Sequence, residues 1–151
     1  MPCKMLKDFL EDHHVRYNAI MHTPTYTAQE VAAAAHISGK HMAKTVIVKI
    51  GNTLAMVVVP ANGHVNFATL KRLTGETDID LAHESDFKNK FPECEVGAMP
   101  PFGNLYGMPV FVSTELTHDE IVFNGGSHSE LIQMSYEDFN HLVKPKVIAT
   151  H

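Results

Sequence analysis

The chain has 151 residues, of which 44% are hydrophobic and 19% charged, with 9 Gly, 8 Pro and a net charge of −5. This describes one domain with a real core and excludes intrinsic disorder, collagen-like repeats and disulfide scaffolds. An acidic total argues against wrapping long nucleic acid, and no apolar run approaches the roughly 20 residues of a membrane helix.

In chain order, Met5, Leu6, Phe9 and Leu10 recur at helical spacing, so a short amphipathic helix should end near His13-His14. Tyr17 to Met21 reads as a strand. Thr27-Ala-Gln-Glu30 is a capping box: the Thr hydroxyl accepts from the Glu30 N–H and the Glu side chain reaches back. It opens an Ala-rich helix over Ala28–His36, with Gly39 placed to end it left-handed. Lys44–Ile50 and Thr53–Val59 flank Gly51-Asn52, a hairpin signal. The second run is apolar on both faces and so belongs in the middle of a sheet.

Asn66 caps a helix over Phe67–Leu73, stopped at Gly75, and a strand near Ile79–Leu81 precedes a helix over Ser85–Phe91, ended by Pro92. From Val96 to Asn104 two prolines and two glycines forbid both helix and central strand. Val110–Ser113, Glu120–Phe123 and Leu131–Met134 follow as strands. Ser135 starts a last helix with Phe139 and Leu142 inward, finished before Pro145. Hairpins in mixed order, without regular strand–helix–strand units, predict an α+β fold. The expectation is a single domain over 1–151: a curved, barrel-like, mostly antiparallel mixed sheet with peripheral helices.

The charges are unevenly spread. From Val31 to Gly75 there is no Asp or Glu, while Lys40, Lys44, Lys49, Lys71 and Arg72 fall there, so that segment is +5 and the rest −10. A basic patch on an acidic protein suits a small anion or the tip of a nucleic acid; chance clustering around buried strands is the alternative. The N-terminus carries acids and histidines where a signal peptide needs an apolar stretch, and two cysteines, Cys3 and Cys94, make no framework. The expected setting is cytoplasmic, with reduced thiols.

Despite 11 histidines, HExxH, Cys-x-x-Cys and His pairs at i, i+4 are absent, so neither a metal nor a cofactor is expected. Cys94 is either a nucleophile beside the Gly/Pro loop or a small half-buried thiol. If the strand alternates, Lys44 shares a face with Val46, Val48 and Ile50, and Lys49 lies opposite with Thr45 and Ile47. A lysine ending an apolar row puts its ammonium at a cavity rim, where it can hold phosphate or carboxylate. It can equally be a solvated strand-start residue. Gly97–Gly103 is either a rigid backbone cradle for an oxyanion or phosphate, or a tight turn before a strand. Gly125-Gly-Ser-His128 has the same two readings, as a hairpin turn with or without a functional His128.

Ala-Lys-Thr-Val-Ile-Val at 43–48, Met-Val-Val-Val-Pro at 56–60, Gly-Ala-Met-Pro-Pro-Phe-Gly at 97–103 and Val-Phe-Asn-Gly-Gly-Ser at 122–127 form a series. It resembles the YbaK and prolyl-tRNA-synthetase-associated domain family, the aminoacyl-tRNA deacylases that edit mischarged tRNA, over about Tyr17 to Leu142. The resemblance implies Lys44 and Gly97 as catalytic residues, and Lys40, Pro101, Phe102, Gly103, Gly126 and His128 as substrate-binding residues. The extra proline of Pro100-Pro101 should alter the pocket's shape. The implied reaction is hydrolysis of the ester at the tRNA 3′-terminal adenosine, with the substrate's own ribose hydroxyl orienting water. The implied partners are the acceptor end of aminoacyl-tRNA and, for freestanding members, an aminoacyl-tRNA synthetase; neither DNA nor membrane is expected. The amino acid stays open among Ala, Cys, Ser and Thr. The alternative is a non-catalytic module of the same fold that binds a nucleotide or the tRNA 3′ end.

Overall fold

A computed structural model of the chain describes residues 4–21, 41–87, 89–91, 94–95, 97–127 and 129–149. The capping box at Thr27, the helix Ala28–His36, Gly39, Lys40, Pro92 and His128 lie outside the described residues. So does Cys3.

Helix α1, Lys4–Asp12, buries Leu6 and Leu10 on one side, as the apolar spacing requires. Strand β1 is Tyr17–Met21. Strands β2, Ala43–Ile50, and β3, Thr53–Pro60, form the expected hairpin, with Ile50 opposite Thr53 across Gly51-Asn52. Helix α2, Phe67–Thr74, opens where the Asn66 side chain accepts from the Thr69 N–H and closes at left-handed Gly75. Strand β4, Ile79–Leu81, pairs with β2. The helix after it, α3, covers only Glu84–Phe87, shorter than expected. Strands β5, Val110–Ser113, β6, Glu120–Ser127, and β7, Glu130–Ser135, come next. Helix α4, Tyr136–Val143, is capped by Ser135, whose hydroxyl accepts from the Asp138 N–H, and a last strand β8 spans Lys146–Ile148.

The strands make two sheets, not a closed barrel. One has the order β1-β7-β6 and is antiparallel; the other has the order β4-β2-β3-β5-β8, with β3–β5 and β5–β8 parallel. The expected barrel-like single sheet is corrected accordingly: among the described residues the two sheets pair only through an isolated bridge from Met42, just before β2, to Val122 of β6, and no ladder closes a barrel. The parallel pairs fit the expected mixed, mostly antiparallel pairing, and β8 is an element the sequence does not announce. The α+β class holds.

Alternation along β3 explains its apolar sequence on both faces. Met56 and Val58 point into the core between the sheets, joined by Ile47, Val112, Ile121, Phe123 and Ile132. Ala55, Val57 and Val59 point the other way, against Leu70 of α2, Phe111 and Ile148. At the centre of the first layer the Phe102 ring lies 5.6 Å from Phe123, 5.5 Å from Phe139 and 6.2 Å from Phe9, in the tilted and edge-on contacts aromatic pairs favour.

At the foot of α4 the Tyr136 hydroxyl is buried without a hydrogen-bond partner, and burial raises its pKa above the ordinary 10.0. The fold favours the neutral phenol, so this contribution is complete below pH 10.0 and is lost as pH climbs from there through the raised value. Tyr136→Phe removes an unsatisfied hydroxyl. Urea unfolding should give equal or greater stability, by about 1 kcal/mol, and a shallower loss on the alkaline side.

Candidate functional site

The site begins where the two sheets touch. Met42, just before β2, forms a parallel bridge with Val122 of β6, and the Val122 N–H donates to the His41 carbonyl at 3.0 Å. Met42 and Val122 pack on the same side, with Ala61, Leu131 and Ile20. Beyond the bridge the strands part into different sheets. Two residues further along each strand, alternation returns the side chains to that side: Lys44 on β2 and Asn124 on β6.

Lys44 sits opposite Val59 and shares its face with Val46, Val48 and Ile50, as alternation predicts. It is half-buried, and among the described residues its ammonium makes no hydrogen bond or ion pair. Asn124 keeps 8% of its surface exposed, and its Oδ1 has no donor. Directly after it β6 carries a bulge, where the register against β7 shifts between Asn124 and Ser127. Gly125 and Gly126 are therefore strand residues, not the hairpin turn that their sequence suggests. Gly125 is needed because a Cβ there would lie 2.9 Å from the Ile132 side chain.

The glycine loop hangs on this bulge. The Glu95 N–H donates to the Gly126 carbonyl at 2.7 Å, and the Gly126 N–H donates to the Ala98 carbonyl at 3.0 Å. The turn between them is closed by the Ala98 N–H donating to the Glu95 carbonyl at 3.0 Å. At its tip Gly97 is exposed, with φ +86°, and its N–H points to the Met99 sulfur at 3.2 Å. A thioether is a weak acceptor, so this donor is readily surrendered to an incoming oxygen.

Lys44, Gly97 and Gly126 are thus linked through adjoining strands. Pro101 and Phe102 are not on the open side: both are buried, and the Phe102 ring is fully enclosed in the core. Gly103 is there because a side chain would collide with the Met108 carbonyl and lie 2.6 Å from the Val110 side chain. These three residues, expected at the substrate, are buried within the loop's own packing.

Two other features frame the site. Glu130 opens β7 opposite Ser127 and is buried, with its carboxylate paired to Lys7 of α1 at 3.0 Å and 3.1 Å. Buried carboxylates need such a partner. Cys94 is half-buried, with its sulfur 3.6 Å from the Tyr106 hydroxyl, whose ring packs on Phe91 at 4.4 Å. Among the described residues no three His, Cys, Asp or Glu side chains are grouped to hold a metal. A cleft of about 700 Å³ bordered by Arg16, Asn18, Gln133, Ser135 and Asp138 lies at the other end of the three-stranded sheet.

The model of the aminoacyl-tRNA editing domain family matches residues 22–142, and the chain belongs to that family. Over 142 residues it is 25% identical to the prolyl-tRNA editing protein ProX of Acetoanaerobium sticklandii, spanning 89% of this chain and 86% of that one. It is also 30% identical over 82 residues to a proline–tRNA ligase of Bacillus mycoides, covering 54% of this chain but only 14% of the ligase. Among solved structures, a candidate trans-editing enzyme for prolyl-tRNA synthetase superposes with a TM-score of 0.81 at 18% identity, over 97% of this chain and 94% of that one. That last likeness is one of fold. No described helix is long and apolar enough to cross a membrane.

Gly126 has φ +104°, a region that side chains rarely adopt, and both its backbone groups hold the loop. Gly126→Ala should cost about 1–3 kcal/mol in unfolding free energy. Amide hydrogen exchange at Glu95 should accelerate well beyond that at Val58 in the core, because its acceptor is displaced. Acceleration at Glu95 no greater than that at Val58 would refute the clamp.

Proposed function

We propose that this chain hydrolyses the ester between a mischarged amino acid and the 3′-terminal adenosine of tRNA. The observation that carries this reading is the half-buried, unpaired Lys44 ammonium on the strand that adjoins the glycine loop's support. An ammonium so placed is a point charge for phosphate or a polarised carbonyl oxygen. Family membership narrows the ligand to an aminoacyl-tRNA.

Lys44 holds the terminal nucleotide, and the Gly97 N–H turns from the Met99 sulfur to the ester oxygen as negative charge develops there. Water adds to the carbonyl carbon, oriented by the neighbouring ribose hydroxyl. The carbon–ribose oxygen bond then breaks, the ribose oxygen takes a proton, and the amino acid leaves as its carboxylate. The rate enhancement comes from positioning and backbone donors, without a protein base. Lys40, Gly126 and His128 complete the substrate contacts, and Pro101, Phe102 and Gly103 fix the loop that makes them.

Such a pocket acts as a second sieve. A synthetase separates amino acids that differ by one small group only weakly, and hydrolysis afterwards removes the errors. Contacts confined to an unpaired RNA end also let a protein of net charge −5 act on tRNA. A synthetase that releases or delivers the mischarged tRNA is the natural partner, in the cytoplasm where charging occurs.

Single-turnover deacylation of Ala-, Cys-, Ser- and Thr-tRNA by wild type and Lys44→Ala tests this. One or two substrates should be hydrolysed, with a loss of about tenfold or more in the variant. A loss below about threefold in a folded variant removes Lys44 from the mechanism. Tight binding of every substrate without hydrolysis would make the chain a binding module for the tRNA 3′ end.

A further inference from the structure

A buried acceptor without a donor is costly to leave unmade, so a structure that keeps one beside an open site points to what fills it. Asn124 is such a group. It is 8% exposed, its Oδ1 has no partner, and Val122 two residues before it on the same face and Leu131 opposite it on β7 give it an apolar surround. Replacing it by an aliphatic residue would complete that surround, so packing alone does not explain an amide here.

Its position supplies the explanation. Asn124 leaves β6 on the side from which Lys44 leaves β2, each two residues beyond the Met42–Val122 bridge. Two residues further on β6, Gly126 anchors the loop that carries Gly97. The site thus offers two donors, the Lys44 ammonium and the Gly97 N–H, and one orphan acceptor between them in the chain of contacts. Donors suit the phosphate and ester oxygens. The acceptor calls for a ligand donor, and an aminoacyl ester carries a strong one beside its carbonyl carbon, the α-ammonium group.

We propose that Asn124 is a substrate-binding residue whose Oδ1 accepts from the α-ammonium of the aminoacyl group. It makes the site selective for esters with a free amino group. This rests on the deacylase reading above and goes beyond it by naming the part of the substrate that is read. Peptidyl-tRNA and other N-blocked esters lack that ammonium. They would leave the Asn124 oxygen unsatisfied.

The test compares hydrolysis of one aminoacyl-tRNA that the wild type deacylates with its N-acetylated form. Wild type should favour the free amine by about tenfold or more, the range of a charge-assisted hydrogen bond. Asn124→Leu should bring that ratio close to one by slowing the free-amine substrate alone, and should unfold no more easily than wild type. Asn124→Asp keeps an acceptor and should restore the preference. If Asn124→Leu does not fold, Asn124→Ala supplies the same ratio. A wild type indifferent to acetylation, or an unchanged ratio in the folded variant, overturns the assignment while leaving the deacylase standing. A wild type that hydrolyses no ester at all overturns both, which no result with the variants alone could do.

Discussion

The parallel bridge between Met42 and Val122 holds the two sheets in register, and the candidate site exists because that pairing stops after one rung. Had the ladder continued, Lys44 and Asn124 would face each other as ordinary strand neighbours in a closed barrel. Because it does not, β2 and β6 part into separate sheets with both polar side chains on the diverging side. The cluster beneath the bridge, Met42, Val122, Ala61 and Leu131, is apolar and closed, so the separation happens at one defined point. A lysine without a counter-ion among the described residues is tolerable there since it is only half-buried, and an orphan amide oxygen is a modest cost against the core that holds it.

The second constraint is backbone chemistry at the bulge. β6 lies at the edge of its sheet, so alternate backbone groups face away from β7. At the bulge the N–H and C=O of Gly126 both face outward and grip the loop at Ala98 and Glu95. Glycine is required twice over, at Gly125 for closeness to Ile132 and at Gly126 for its positive φ. The ion pair of Glu130 with Lys7 braces the opposite strand at the same level. Loop and bulge are therefore joined by two backbone hydrogen bonds at Gly126, one residue from the Ser127–Glu130 rung.

Much of this was legible in the sequence, and the exceptions have physical causes. The Lys44 row followed from alternation, and the central place of β3 from its two apolar faces. Asn66 and Gly75 marked the ends of α2 through capping chemistry that needs no tertiary context. Strand β8 escaped because Lys146-Val-Ile is too short to show a period and earns its place only by pairing with β5. The parallel pairs have no local turn signal at all. Gly125-Gly126 reads as a turn until β7 is set beside it, since a bulge is a property of two strands. Asn124 was passed over for the same reason, as an asparagine before two glycines looks like turn chemistry. Phe102 is a motif residue whose ring the core encloses, which its place in a Gly/Pro loop does not reveal.

The order in which the chain visits its sheets has a consequence for its synthesis. Among the described strands β1 pairs with β7 alone, and Lys7 meets Glu130 across 123 positions. The five-stranded sheet is likewise completed by β8, made after β6 and β7 have gone to the other sheet. On the ribosome, then, the first strand waits with its edge bare until nearly the whole polypeptide has emerged. The basic β2–β3 hairpin can form long before its acidic surroundings do. Neither sheet is a unit that can be finished early. The candidate site at their junction is therefore among the last things the newborn chain acquires.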